Sequence, residues 1–397
     1  MSRTVYLDHA ATTPMVPAAL EAMTRQLAVV GNPSSLHASG RRARRVVEEA
    51  REQIAAAIGC RPGEIVFTSG GTEADNLAVK GITWARQGGE SDRRLVLASA
   101  VEHHAVLDPL QWLVEAGEAD LELLAVGDDG RLDLDRYAAA LERDPRVVAL
   151  VSVMWANNES GAVQPLAEVV RLAHEHGIPV HSDAVQALGV LPLDVAASGL
   201  DAVTITGHKV GGPVGVGALV VRREVGVTPL LHGGGQERDL RSGTLDVPAI
   251  AGFAAAVEQA VAQQAAHAAR LADLRELLVR GLRAAVPDVV VNGPAEAFAA
   301  DGSPLRLPGV VHASFPGCEG DSLLMLLDAR GIECSTGSAC SAGVPQASHV
   351  LLAMGREDDE ARSSLRFSLG HTSTADDVAA VVAAIAPCVE RARAARA

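Results

Sequence analysis

The sequence has no uninterrupted run of about 18 or more apolar residues, the length that a membrane-spanning helix requires. Hydrophobic residues nevertheless make up 48% of its 397 positions, enough for two domains with a large buried core. Its first residues, MSRTVYLDHAATTP, form no apolar signal segment, so we expect a cytoplasmic protein. The formal net charge of −15 disfavours nucleic acid as the primary ligand.

The five cysteines are odd in number and scattered along the chain. No two of them have the C-x-x-C spacing of a zinc or redox site. The separation of Cys334 from Cys340 likewise gives little support to a metal site or a disulfide. We therefore expect no metal centre.

Strand-like apolar segments alternate with helical segments, as in an open α/β sheet. From about residue 249 the pattern changes to a long alanine-rich helical stretch ending near 285, shorter strands at 289–291 and 309–315, and a terminal helix at 375–397. This change predicts a second, smaller domain. The strands predicted before it are 64–68, 94–99, 121–125, 147–154, 179–182, 202–206 and 217–221.

One lysine stands at the end of an apolar run. Lys209 follows the predicted strand 202–206 and precedes a glycine-rich turn. Burying an unpaired ammonium is costly, whereas a Schiff base to an aldehyde cofactor uses the amine as a nucleophile. This window alone fits a surface lysine at a strand end equally well.

A second strand end favours the covalent interpretation. Asp183 and Gln186 follow the predicted strand 179–182. An acid that keeps a pyridine nitrogen protonated, combined with a Schiff-base lysine, is the pair that a pyridoxal phosphate (PLP) enzyme requires. The two strand ends together indicate PLP.

A phosphate site is predicted between residues 64 and 80. Gly70 and Gly71 allow a tight turn after a strand, and Thr72 begins a helix whose N-terminal amides favour an anion. Such a turn alone is weak evidence. The nucleotide P-loop and the dinucleotide fingerprint are absent here, which argues against ATP or NAD.

The chain resembles the NifS/IscS-type cysteine desulfurases, PLP enzymes of fold type I in the class V aminotransferase group. The resemblance covers nearly the whole length, and its most specific part, STGSAC, is similar to the persulfide-cysteine loop of the first desulfurase group. The Arg-His-rich segment of the second group is absent. The matching segments are YLDHAATTP (6–14), GNPSSLH (31–37), TSGGTEADN (68–76), EHHAVLD (102–108), NNESG (157–161), HSDAVQ (181–186), TGHK (206–209), RSGTL (241–245), STGSACSAG (335–343) and LRFSLG (365–370).

The resemblance implies a role for each candidate residue at the cofactor. Lys209 would hold PLP and move protons at the substrate carbon, and Asp183 would pair with the pyridinium nitrogen. Gln186 would reach the phenolic oxygen, and His103 would stack on the ring. The phosphate would be bound by Gly71, Thr72, Thr206 and His208, with Thr244 supplied by the other subunit of a homodimer.

The resemblance also implies how the substrate is bound. Asn32 and Asn158 would contact the substrate or the ring, and Arg366 would form a bidentate pair with the substrate carboxylate. Two positions depart from the family pattern: Val214 replaces a lysine, and Asp239 stands where a glycine is usual. Both would affect only the rim of the dimer.

Cys340 completes the activity that the resemblance implies. Its thiolate would take the sulfur of L-cysteine, leaving L-alanine and an enzyme persulfide. The serines and glycines around Cys340 suit a loop that carries sulfur to an acceptor protein. The acceptor could be an iron–sulfur scaffold, a tRNA-thiolating enzyme or another carrier.

The implied architecture is PLP fold type I, in the α/β class. A large domain at 13–255 would contain a mainly parallel seven-stranded sheet flanked by helices. A smaller α+β domain would comprise 1–12 and 256–397 and carry the cysteine loop.

Three other functions share parts of this pattern. A selenocysteine lyase would keep the fold and most of the cofactor site. A class V aminotransferase would keep Lys209 and Asp183 without needing Cys340. A PLP-binding regulator without turnover is the third, although the chain has no DNA-binding segment and retains each expected catalytic group.

Overall fold

The computed structural model describes residues 4–90, 93–337 and 347–396. Cys340, the predicted persulfide carrier, lies outside the described residues. None of the helices in these three ranges is both long enough and apolar enough to cross a membrane.

The strands divide among three sheets. The largest has seven strands in the order β2-β8-β7-β6-β5-β3-β4, and the others are β12-β10-β9 and β1-β11. The strands are β1 Val5–Tyr6, β2 Ile65–Thr68, β3 Leu95–Ser99, β4 Asp120–Leu124, β5 Val148–Ser152, β6 Val180–Asp183, β7 Ala202–Thr206, β8 Gly217–Val221, β9 Val290–Asn292, β10 Val310–Ser314, β11 Ile332–Glu333 and β12 Ser364–Ser368.

The seven-stranded sheet confirms the predicted fold class. Each of the seven strands predicted before residue 249 occurs in it, with ends that differ by no more than two residues. Strands β3 to β7 pair in parallel, and β8 runs antiparallel to both β7 and β2. Strands β5 and β7 are buried along their whole length, which is consistent with their largely apolar sequences, in which the polar residues are only Ser152, Thr204 and Thr206.

Helices cover both faces of this sheet. Side chains of α2 and α8 pack into the core on one face, and those of α3 and α4 into the core on the other. The helices are α1 Pro17–Leu27, α2 Ala38–Ile58, α3 Gly71–Glu90, α4 His104–Glu115, α5 Leu134–Arg143, α6 Leu166–Glu175, α7 Val195–Ser198, α8 Val247–Ala262, α9 Gln264–Ala285, α10 Gly320–Asp328, α11 His349–Ala353, α12 Asp358–Arg362 and α13 Ala375–Arg396.

The predicted continuous helical stretch 249–285 is instead two helices, α8 and α9. Gln263 caps the end of α8 with φ −100° and ψ 0°, and its N–H is shared between the carbonyls of Gln259 and Val261. No glycine or proline marks this break, so the alanine-rich pattern runs through it without a signal.

A separate apolar core lies beside the three-stranded sheet. Val5 and Leu7 from the N-terminal segment share it with Leu365 and Phe367 of β12 and with side chains of α9 and α13. The N-terminal segment thus packs with the C-terminal part of the chain. The domain boundaries near 13 and 255 stay a prediction.

Asp239 occupies a strained backbone position. Its φ is +60°, in the left-handed region where a side chain is disfavoured and glycine is not. We expect Asp239→Gly to raise the free energy of unfolding by about 1 kcal/mol, because the exposed side chain has no buried contact to lose. Urea unfolding monitored by circular dichroism measures this. Asp128→Gly, at an exposed aspartate with negative φ, should instead lower the free energy of unfolding. Equal changes in the free energy of unfolding for the two substitutions would contradict backbone strain at Asp239.

Candidate active site

The carboxyl ends of the large sheet's strands border a cavity of about 390 Å³. This is the edge at which open α/β sheets bind ligands. Asp183 is the last residue of β6 and Thr206 the last of β7, while the turn after β2 leads to Gly71. The predicted site residues that line the cavity are Gly71, Thr72, His103, Asn158, Asp183, Gln186, Thr206, His208, Lys209 and Arg366.

Lys209 projects into this cavity from the turn after β7. Its Nζ donates hydrogen bonds to the backbone carbonyls of Ala10 and Ala11, the latter at 2.6 Å. Burial and, secondarily, the charge of Arg366 lower the pKa of Lys209 to about 8. A larger fraction of the amine is therefore neutral and nucleophilic at physiological pH than for an ordinary lysine.

Asp183 is buried at the end of β6, and its Oδ1 accepts the backbone N–H of Val185 at 2.8 Å. Burial raises the pKa of Asp183 to about 6, an effect opposed by that hydrogen bond and by the charge of Lys209. Asp183 is consequently an ionised carboxylate near neutral pH. It can accept a hydrogen bond from a protonated ring nitrogen.

Two further carboxyl groups, which the sequence reasoning missed, lie close to Asp183. Burial and the charge of Asp183 raise the pKa of Asp75 well above its usual range, and burial raises that of Glu102 to about 8. Asp75 Oδ1 lies 3.5 Å from Nε2 of His181, whose own pKa burial lowers to about 3. With a pKa of about 8, Glu102 is mostly protonated near pH 7, and burial opposes ionisation of Asp75, so Asp183 is favoured as the charged member of the cluster. The only sequence signal for these residues is that Asp75 lies in the segment TSGGTEADN and Glu102 in the segment EHHAVLD.

The turn between β2 and α3 can bind an anion. Helix α3 begins at Gly71, one residue before the predicted start, and a Cβ there would lie 3.2 Å from the Val185 side chain. Thr206 and His208 line the same cavity. Burial and the charge of Lys209 lower the pKa of His208 to about 4, so it acts as a neutral hydrogen-bonding group. The amides at the start of this 20-residue helix favour a phosphate.

His103 caps the N-terminus of α4, where its Nδ1 accepts the backbone N–H of Ala105 at 3.0 Å. Burial and the charge of Lys209 lower the pKa of His103 to about 4. Its ring is therefore neutral, which suits stacking on an aromatic ring. Gln186 donates from Nε2 to the Ala10 carbonyl at 2.9 Å.

Arg366 reaches the cavity from β12 and is 5% exposed. One of its terminal nitrogens donates to Asp8 Oδ1 at 2.7 Å, and the other to the Asn158 carbonyl at 3.2 Å. The sequence reasoning did not assign Asp8, whose pairing with a residue 358 positions away has no local signal. The guanidinium is thus held in place at the cavity wall.

Asn32 and Thr244 are exposed and do not line this cavity. A role for Thr244 in the other subunit's site is compatible with that position, and the role of Asn32 stays a prediction. Among the described residues, no group of three or more His, Cys, Asp or Glu side chains is arranged to hold a metal ion.

The residues present fit PLP. An ionised acid, a neutral imidazole, a partly neutral lysine and a helix N-terminus border one cavity of suitable size. When bound, PLP withdraws electrons from the substrate carbon. Asp183 would hold its ring nitrogen, His103 would cover the ring, and Gly71, Thr72, Thr206 and His208 would bind its phosphate.

Known proteins resemble this chain over almost its whole length. The class V aminotransferase family model matches residues 5–381. The IscS-like cysteine desulfurase of Mycobacterium tuberculosis is 56% identical over 388 residues, 98% of this chain and 97% of that protein. A solved NifS-like protein is 34% identical with a TM-score of 0.88 and covers 98% of this chain and 100% of its own. A structure titled SspA in complex with cysteine is 32% identical, with a TM-score of 0.77, and covers 94% and 100%.

These matches show that the chain belongs to the class V aminotransferase family. Within that family it is a cysteine desulfurase of the NifS/IscS type, a PLP-dependent enzyme.

Proposed function

We propose that this enzyme converts L-cysteine to L-alanine and transfers the sulfur to Cys340. The Cys340 thiolate attacks the substrate sulfur, and the bond between that sulfur and the β-carbon breaks. The electron pair of this bond stays on the β-carbon, which is then protonated to the methyl group of L-alanine. Each turnover leaves one L-alanine and one persulfide, with no external oxidant or reductant. The observation that carries this proposal is the shared cavity of Lys209, Asp183, His103 and Arg366. The structure of the related protein SspA is of a complex with cysteine, which supports L-cysteine as the substrate.

Mass spectrometry after brief exposure to L-cysteine, without reductant, tests the carrier. The peptide containing Cys340 should gain the mass of one sulfur atom. Cys318 and Cys334 are both buried, and burial raises the pKa of Cys334 to about 12, which disfavours its thiolate. Sulfur on either of them instead would overturn the role of Cys340.

We assign the substrate carboxylate to Arg366. Arg366→Lys should lower kcat/KM for L-cysteine by about 30- to 1,000-fold, since an ammonium cannot reproduce the planar fork and leaves a desolvated carboxylate poorly paired. Steady-state kinetics measure the ratio. The visible spectrum of bound PLP should stay unchanged, because the assigned cofactor contacts lie on other residues. Unchanged kcat/KM would remove Arg366 from substrate binding.

We further infer a homodimer in which each subunit supplies Thr244 to the other's site. The exposed apolar side chains Leu27, Val30 and Leu36 lie in the chain near Asn32, and Leu27 shares a surface groove with Leu245, next to Thr244. A group of exposed apolar side chains on one surface is typical of a protein–protein interface.

Val30→Glu should convert the dimer to a monomer, because a charge at an apolar interface is desolvated without a partner. Sedimentation velocity measures the state, and PLP titration should show weaker binding if Thr244 contacts the phosphate across the interface. Met325→Glu is the control, because Met325 is an exposed apolar side chain on α10 that does not line this groove, and this variant should remain dimeric. A Val30→Glu protein that remains dimeric would contradict the assigned interface.

The sulfur leaves Cys340 for an acceptor protein in this proposal. We propose an iron–sulfur scaffold or a tRNA-thiolating enzyme as the acceptor, and another sulfur carrier is the alternative. Transfer of radiolabelled sulfur from the loaded enzyme to each purified acceptor class distinguishes them.

A further inference from the structure

The turn 157–161 beside the active site is rigidly held. Asn157 Oδ1 accepts the backbone N–H groups of Glu159 and Ser160 at 2.9 and 2.8 Å, and its Nδ2 donates to the Val101 carbonyl at 2.9 Å. The same turn presents the Asn158 carbonyl to Arg366. Glu159, the next residue, is only 3% exposed.

The Glu159 side chain lies close to two residues, Gly337 and Ser348, that flank Cys340 in sequence. The Ser348 hydroxyl donates to Glu159 Oε2 at 2.5 Å. On the other side of Cys340, Gly337 lies close to the same oxygen, with no room for a side chain: a Cβ at Gly337 would be 3.2 Å from Oε2 and 2.9 Å from Nε2 of His312. Gly337 also has φ +85°, so a glycine is required there for both space and conformation.

Each flank is anchored further away from Cys340 as well. The backbone of Ser335 pairs with that of Arg366, and its hydroxyl accepts the N–H of Gly337 at 3.0 Å. The Ser348 hydroxyl also accepts the N–H of Leu351 at 3.2 Å, which caps α11. Glu159 is the group that both flanks approach.

We propose that Glu159 is a positioning residue for the Cys340 segment: from turn 157–161 it binds Ser348 on one flank of that segment by a hydrogen bond and packs beside Gly337 on the other. This inference rests on the proposed role of Cys340 as sulfur acceptor. Fixing both ends of a chain segment restricts the positions that its middle can reach, which raises the fraction of time spent near a reacting partner. Turn 157–161 also binds Arg366 through the Asn158 carbonyl. The same turn therefore contacts both a flank of the cysteine segment and the residue assigned to the substrate carboxylate.

The test compares five variants as PLP-loaded enzymes. Glu159→Gln and Ser348→Ala weaken the contact from its two sides, and Ser348→Thr retains the hydroxyl. Ser363→Ala is the matched control, since Ser363 is also buried but donates its hydroxyl to the Glu360 carbonyl at 2.8 Å. The Glu159→Gln/Ser348→Ala double variant tests whether the two residues act through one contact.

The expected result separates positioning from binding. The single-turnover rate of persulfide formation should fall about tenfold in Glu159→Gln and in Ser348→Ala, because a small displacement of a reacting group is costly. The L-cysteine concentration that gives half of the change in visible absorption should stay within about twofold of the wild-type value, since the substrate contacts are intact. Ser348→Thr should restore the rate, and the double variant should be no slower than Glu159→Gln.

Hydrogen–deuterium exchange gives a readout without turnover. A peptide covering 347–353 should exchange faster in Glu159→Gln, because the hydrogen bond to Ser348 is weakened, while a peptide covering β12 should not change. An unaltered rate and unaltered exchange in Glu159→Gln, or an additive double variant, would overturn the inference. Wild-type enzyme that places no sulfur on Cys340 would overturn the proposed function instead, so the two failures are distinguishable.

Discussion

Lys209→Ala should abolish the covalent attachment of PLP and lower desulfurase kcat by about 10⁴-fold, the upper end of what one positioned proton-transfer group contributes. The cavity then lacks both the amine that bonds the cofactor and the base that moves protons at the substrate carbon. Borohydride reduction of wild-type enzyme should fix the pyridoxyl group on Lys209, as peptide mass mapping would show.

The chain offers a matched control for this experiment because Lys80 is its one other lysine. Lys80 lies on α3 with Nζ 4.2 Å from the centre of the Trp112 ring, and it does not line the cavity. Lys80→Ala should trap cofactor like the wild type. A pyridoxyl group on Lys80, or borohydride trapping that survives in Lys209→Ala, would contradict the assignment.

The large sheet could be predicted from sequence because its central strands are buried on both faces. Largely apolar, β-branched segments such as β5 and β7 are recognisable without tertiary information, and polar residues at the ends of such strands indicate the ligand edge. The short pair β1 and β11 was not predicted. Two residues in each strand give no periodicity, and the partners are more than 320 positions apart.

The sequence predicted which residues form the site more fully than it predicted their charge states. Lys209 and Asp183 follow strands, so the sequence places them at one edge. Nothing local indicates that Asp75 and Glu102 are buried beside Asp183, because their pKa values depend on the surrounding packing. The contacts of Arg366 with Asp8 and of Ser348 with Glu159 likewise arise only when distant segments meet.

Cys340→Ala should bind PLP and L-cysteine normally, because the assigned contacts to both lie on other residues. Its alanine production should nevertheless fall to background, since no thiolate remains to accept the substrate sulfur. L-Selenocysteine is a useful second substrate, because selenium leaves more readily and depends less on attack by a thiolate. Partial activity with it is expected in the same variant.

The most direct test of the account is the yield of L-alanine from L-cysteine by PLP-loaded Cys340→Ala, measured beside the wild type and Cys60→Ala. Cys60 is the control because it is a partly exposed thiol away from the cavity, and burial raises its pKa to about 12. We predict alanine from the wild type and from Cys60→Ala, and none above background from Cys340→Ala. Full alanine production by Cys340→Ala would contradict the persulfide mechanism.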